Sequence, residues 1–122
     1  MEDTANSRKQ ALEIGRFLEE HKGENTTVLD VSGQCTWTSY FILTTITSQT
    51  HMRGVVRQLR EFLDKIEVVP LHRQRKVTDE GWFLMDCGDL VIHIMSREMR
   101  DFYTLERLWF ASESLFQSSN SS

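Results

Sequence analysis

Proline occurs once in this chain of 122 residues and glycine six times, which excludes linker-rich, collagen-like and low-complexity architectures. Cysteine occurs only as Cys35 and Cys87, too few for a disulfide scaffold, and no Cys-x-x-Cys is present. The four histidines stand far apart, so zinc-ligand spacing is lacking as well. No metal or cofactor is therefore expected. Two reduced thiols fit a cytoplasmic setting. No apolar run approaches the roughly eighteen residues of a membrane span. Met1-Glu2-Asp3-Thr4 lacks the basic start and apolar stretch of a signal peptide, and its acidity disfavours an organelle transit peptide. A basic surplus is missing too. The formal net charge is −4 and the pI is near 5.5, which argues against a general nucleic-acid coat and leaves a basic protein partner open.

What is present is globular: 39% hydrophobic and 26% charged residues. The length suits one domain that buries roughly two-thirds of its unfolded surface. Ala11, Ile14 and Leu18 recur at helical spacing, predicting a helix over Asn6–Lys22 that stops at Gly23. Thr26–Val31 reads as a strand. Tyr40–Thr47 reads as a stronger one, apolar on both faces over its first half, as in a sheet interior. Ser48 or Thr50 can cap a helix over His51–Lys65, with Val55, Leu59, Phe62, Leu63 and Ile66 on its apolar face. Its other face carries Arg53, Arg57, Arg60, Glu61, Asp64 and Lys65.

A short strand is expected at Val68-Val69, ended by Pro70, followed by an irregular stretch from Leu71 to Gly81. Trp82–Asp86 and Leu90–Met95 read as a hairpin turning at Cys87-Gly88. A last helix is expected over Glu98–Phe110, and the Ser-rich tail 112–122 is expected to fray. The sum is a single α+β domain over 1–111, with a mixed sheet of about five strands covered by helices.

No catalytic constellation emerges. Asp86 and Asp89 straddle the hairpin turn without a Gly-rich phosphate cradle, and turn stabilisation is the commoner role for such residues. His93 sits mid-strand among Val91, Ile92, Ile94 and Met95, the setting of a hydrogen-bonded core histidine. Arg73, Arg75 and Lys76 read as a solvated loop that could touch phosphate. Trp82, Leu84 and Asp86 alternate onto one strand face. An apolar centre with an acidic rim suits a basic protein partner.

Val28-Leu29-Asp30-Val31-Ser32-Gly33, followed by Thr38-Ser39-Tyr40-Phe41-Ile42, resembles the opening of the ribosomal silencing factor, or Iojap-like, family. The stretch from Gly81 to His93 is similar to that family's Trp-x-Leu-x-Asp-x-Gly-Asp-x-x-x-His pattern. Arg100 to Trp109 is similar to its Arg-x-x-Tyr-x-Leu-Glu-x-Leu-Trp signature. Together the likeness spans about Ala11 to Trp109. The chain departs from the family at Ser39, at Gln74-Arg75-Lys76 and at Cys87.

The resemblance implies a fold similar to that of nucleotidyltransferases, without their chemistry. It implies binding to the large ribosomal subunit at ribosomal protein L-fourteen, which blocks joining of the small subunit and represses translation. The expected contact has Trp82, Leu84 and Tyr103 at its centre and Asp86, Asp89 and Glu106 at its rim. Asp30, His93 and Arg100 are expected to hold the fold. Three other roles stay open: large-subunit assembly, a divergent nucleotidyltransferase using Asp86 and Asp89 with Mg²⁺, and a homodimer formed through the apolar strand face.

Overall fold

The computed structural model of the chain describes residues 2–33, 36, 38–71, 75–78, 82–103 and 113–117. Helix α1 spans Glu2–Glu20 and buries Ala11, Ile14, Phe17 and Leu18. It ends with Lys22 in the left-handed region (φ 73°). There the Gly23 N–H donates to the Leu18 carbonyl and the Lys22 N–H to the Glu19 carbonyl, the paired bonds of a Schellman turn. Gly23 is therefore not the left-handed residue. It is needed for close approach, because a Cβ there would collide with the Thr44 hydroxyl and meet the Leu18 carbonyl at 2.8 Å.

Strand β1 (Glu24–Asp30) pairs antiparallel with β2 (Tyr40–Thr45). Every residue of β2 is buried, as its two-sided apolarity predicts. Helix α2 (Gln49–Lys65) follows, capped by the Ser48 hydroxyl, which accepts from the His51 N–H at 3.0 Å. It ends in a second Schellman turn with Glu67 at φ 63°, where the Val68 N–H donates to the Leu63 carbonyl. That turn explains why Val68-Val69 is not the strand its β-branched side chains predict: Val68 tucks under the helix end, and Val69 is left 75% exposed.

The strand preceding the hairpin lies later, at β3 (Arg75–Thr78), inside the stretch that reads as irregular. Strands β4 (Trp82–Asp86) and β5 (Leu90–Met95) form the expected hairpin. The Cys87 N–H donates to the Leu90 carbonyl, so the tip is Gly88-Asp89, one residue later than the Cys87-Gly88 turn the sequence predicts, with Gly88 at φ 86° supplying the left-handed residue. Helix α3 spans Arg97–Tyr103, and the rest of the predicted last helix lies outside the described residues. Residues Glu113–Gln117, within the tail expected to fray, form β6 instead.

Among the described residues the sheet has six strands in the order β3-β4-β5-β2-β1-β6, where the sequence predicts about five. It is mixed, with β2 and β5 parallel and the other pairs antiparallel. One face packs on α1 and α2 through Val28, Ile42, Ile46, Phe83, Met85, Ile92 and Ile94. The other gathers Leu29, Val31, Phe41, Leu43 and Val91 into a second cluster, with Leu84 against it.

Candidate functional site

Alternation along β4 separates its side chains. Phe83 and Met85 are buried toward the helices, while Trp82, Leu84 and Asp86 are half-buried on the opposite face. The hairpin register sets Leu84 opposite His93, so Trp82 and His93 are diagonal neighbours on that face. The Trp82 indole N–H donates to His93 Nδ1 at 3.2 Å, and the rings lie 6.0 Å apart.

Indole nitrogen can only donate. His93 Nδ1 must therefore accept, and the ring proton sits on Nε2. Nε2 is buried and has no hydrogen-bond partner among the described residues. The His93 ring meets Phe41 in an edge-on contact at 5.1 Å. Burial, with the positive charge of Arg100 as the smaller cause, lowers the His93 pKa from 6.5 to about 4. The neutral ring is therefore the form that orients Trp82. The core role expected of His93 holds. The sequence reading misses its partner, although the diagonal follows from strand pairing once the turn length is known.

Arg100 is buried behind this face, with Nη1 3.2 Å from the Thr45 hydroxyl and Nη2 3.3 Å from that of Thr27. It thereby ties α3 to β1 and β2. Asp30 holds a local turn, accepting from the Ser32 N–H and hydroxyl at 3.0 and 2.6 Å. Both residues serve the fold, as expected.

The two hairpin carboxylates have different neighbours. Asp86 Oδ1 accepts from the Gly88 N–H at 2.9 Å, which fixes the turn. Asp89 Oδ2 accepts from the Ser7 hydroxyl at 2.9 Å, which ties the hairpin tip to α1. Each carboxylate thus has a hydrogen-bond partner that holds the hairpin in place. Burial and the Asp86 charge push the Cys87 thiol up to about 12, so it is not a nucleophile at neutral pH. Among the described residues no three His, Cys, Asp or Glu side chains converge on one point.

Of the six predicted contact residues, the structure brings Trp82, Leu84 and Asp86 together on one strand face. Asp89 is exposed at the hairpin tip, turned to Ser7. Tyr103 is the last residue of α3, its side chain outside the description, and Glu106 lies outside the described residues.

A family model described as ribosomal silencing factor during starvation matches residues 4–121 of the chain. The chain belongs to the ribosomal silencing factor family. The match runs past the expected domain boundary at residue 111 and takes in β6. A ribosomal silencing factor of Treponema pallidum is 30% identical over 97 residues, covering 79% of this chain and 86% of that protein. A Mus musculus protein named for mitochondrial assembly of the ribosomal large subunit is 29% identical over 95 residues, 76% of this chain and 42% of that protein. A crystal structure of a Chromobacterium violaceum protein shares the fold, with a TM-score of 0.75 at 23% identity over 93% of this chain and 95% of that one. No described helix is long and apolar enough to cross a membrane.

Proposed function

We propose that this chain binds the large ribosomal subunit at ribosomal protein L-fourteen and sterically blocks the small subunit, repressing translation. Membership of the silencing factor family carries this reading. The outer face of β4 supplies a surface with suitable chemistry. Trp82 is a large aromatic held in one orientation by His93, so little side-chain entropy is left to lose on docking. Leu84 extends the apolar centre and Asp86 contributes acidic charge toward a basic partner. Tyr103, Asp89 and Glu106 complete the proposed contact. The mechanism needs no catalysis. By the usual radius scaling a chain of this length is about 35 Å across, and a body of that size on the joining face excludes the small subunit. The cytoplasm is the expected compartment.

A subunit-joining assay by light scattering tests the silencing step. Added protein should lower the amplitude of joining in proportion to occupied large subunits, and Leu84→Glu should restore it. Undiminished joining on saturated large subunits contradicts silencing. The name of the mouse relative favours a second reading, assembly of the large subunit through the same surface. Accumulation of immature large-subunit particles on deletion, with joining unaffected, supports that reading instead.

A further inference from the structure

Helix α2 carries Arg53, Arg57 and Arg60 at intervals of four and three, which places them along one stripe of the helix. All three are exposed, while Val55, Leu59 and Leu63 are buried against the sheet. The stripe therefore has a rigid backing. Asp64 ends it and Glu61 flanks it, yet neither pairs with an arginine. Among the described residues Arg97–Glu24 is the ion pair, and α2 contributes none. The order explains this, because an arginine four residues before its carboxylate is the weaker arrangement on a helix.

The Arg60 guanidinium lies 5.9 Å from the centre of the Phe83 ring, which fixes that end of the stripe above β4. Lys76 of the edge strand β3 stands opposite Phe83 in the register. Helix α2 alone carries four basic residues against two acidic ones, within a chain of formal net charge −4. Positive charge is thus concentrated on this helix within an otherwise acidic chain.

We infer that the α2 arginine stripe is a second docking surface that binds the phosphate backbone of ribosomal RNA without sequence readout. The inference rests on the ribosome-binding reading above. Unpaired guanidinium groups present planar forks of donors that match phosphate oxygens. Positions four and seven residues apart rise about 6 and 10 Å along the helix, so several phosphates of one strand can be met together. Contacts to phosphates alone add affinity and leave placement to the protein contact. Alternation along β4 then serves two surfaces: Trp82, Leu84 and Asp86 face one way, and Phe83 supports Arg60 on the other. Engaging both gives the avidity of a two-point attachment.

The test uses the full chain, the double variant Arg53→Gln/Arg57→Gln and a triple variant adding Arg60→Gln. Thermal melts should coincide for wild type and double variant, since both changes are at exposed positions. The first probe is a short labelled RNA duplex of arbitrary sequence, titrated by anisotropy across about 50 to 200 mM salt. The wild type should bind, with the slope of log affinity against log salt falling by close to one per arginine removed. At the lowest salt the triple variant should bind at least tenfold more weakly. The second probe is purified large subunits on a sucrose gradient, where the variants should dissociate at lower salt than the wild type.

Wild type and variants that co-sediment alike at every salt, with no duplex binding, overturn the inference and leave the proposed function standing. Variants that lose the subunits while the wild type ignores the duplex assign the stripe to an acidic protein, which also overturns it. Should the wild type not co-sediment at all, the proposed function fails. The duplex titration then decides the stripe alone, a reduced slope supporting it and an unchanged slope overturning it.

Discussion

The two faces of the sheet are closed by different chemistry. Against α1 and α2 the cluster is aliphatic and aromatic, running through Ile14, Leu18, Ile42, Leu59 and Ile92 without a buried charge. On the other face Leu29, Phe41, Leu43 and Val91 share their layer with His93, Arg100 and the hydroxyls of Thr27 and Thr45. The first face is held mainly by apolar burial, which has no direction and is indifferent to protonation, with a buried hydroxyl pair, Thr26 and Thr44 at 2.7 Å, near the end of α1. The second is held by directional bonds and a histidine that must stay neutral. Function is proposed for the second face, where directional bonds fix an aromatic side chain at the surface.

Adjacent residues of β5 allow the comparison to be broken directly. Ile92 faces the helices and Val91 the polar layer. Ile92→Ala should cost about 4 kcal/mol in urea unfolding, with no pH dependence of the loss. Val91→Ala should cost about 2 kcal/mol. Equal losses would mean that the helix face is not the tighter core.

Acid comes next in size. Folding lowers the His93 pKa, so its contribution to stability is complete above 6.5 and is lost as pH falls through about 4. The loss should reach about 3 kcal/mol by the lower pH, from the shift in pKa. Protonation of Nδ1 also removes the acceptor for Trp82. A His93→Leu variant followed by urea melts across this window should lack that component. If it shows the same acid sensitivity as the wild type, other groups carry it.

Arg100→Met should cost about 2 kcal/mol, the value of charged hydrogen bonds in a buried setting. It should also raise the His93 pKa in an NMR titration, because the Arg100 charge is one of the causes that lower it. An unmoved titration would separate the two residues. The smallest effect is expected at Arg97, whose 2.6 Å pair with Glu24 is largely solvent-exposed. Arg97→Ala should change stability by only a few tenths of a kcal/mol, and less in high salt.

Much of the fold was legible where one face of an element is apolar and the other is not. The α2 stripe, the two-sided apolarity of β2 and the Gly88 turn each carry a periodicity or conformational signal that local sequence expresses. Strands β3 and β6 carry none. Arg75-Lys76-Val77-Thr78 and Glu113-Ser114-Leu115-Phe116-Gln117 are short edge segments defined by their neighbours. Val68-Val69 shows the reverse case, a β-rich pair overridden by the turn that closes α2. At the site, Trp82, Leu84 and Asp86 were legible by alternation. The bond from Trp82 to His93 was not, because it depends on pairing register across the hairpin.

The most direct measurement of the central claim is co-sedimentation of wild type, Trp82→Ala and Trp82→Phe with purified large subunits, small subunits and whole ribosomes, with circular dichroism on each variant. The wild type should travel with large subunits alone. Folded Trp82→Ala should bind about thirtyfold more weakly, the loss expected of a central aromatic contact. Trp82→Phe, which keeps a ring but loses the bond to His93, should fall between them. Folded Trp82→Ala bound as tightly as the wild type would contradict the claim that this face docks the ribosome.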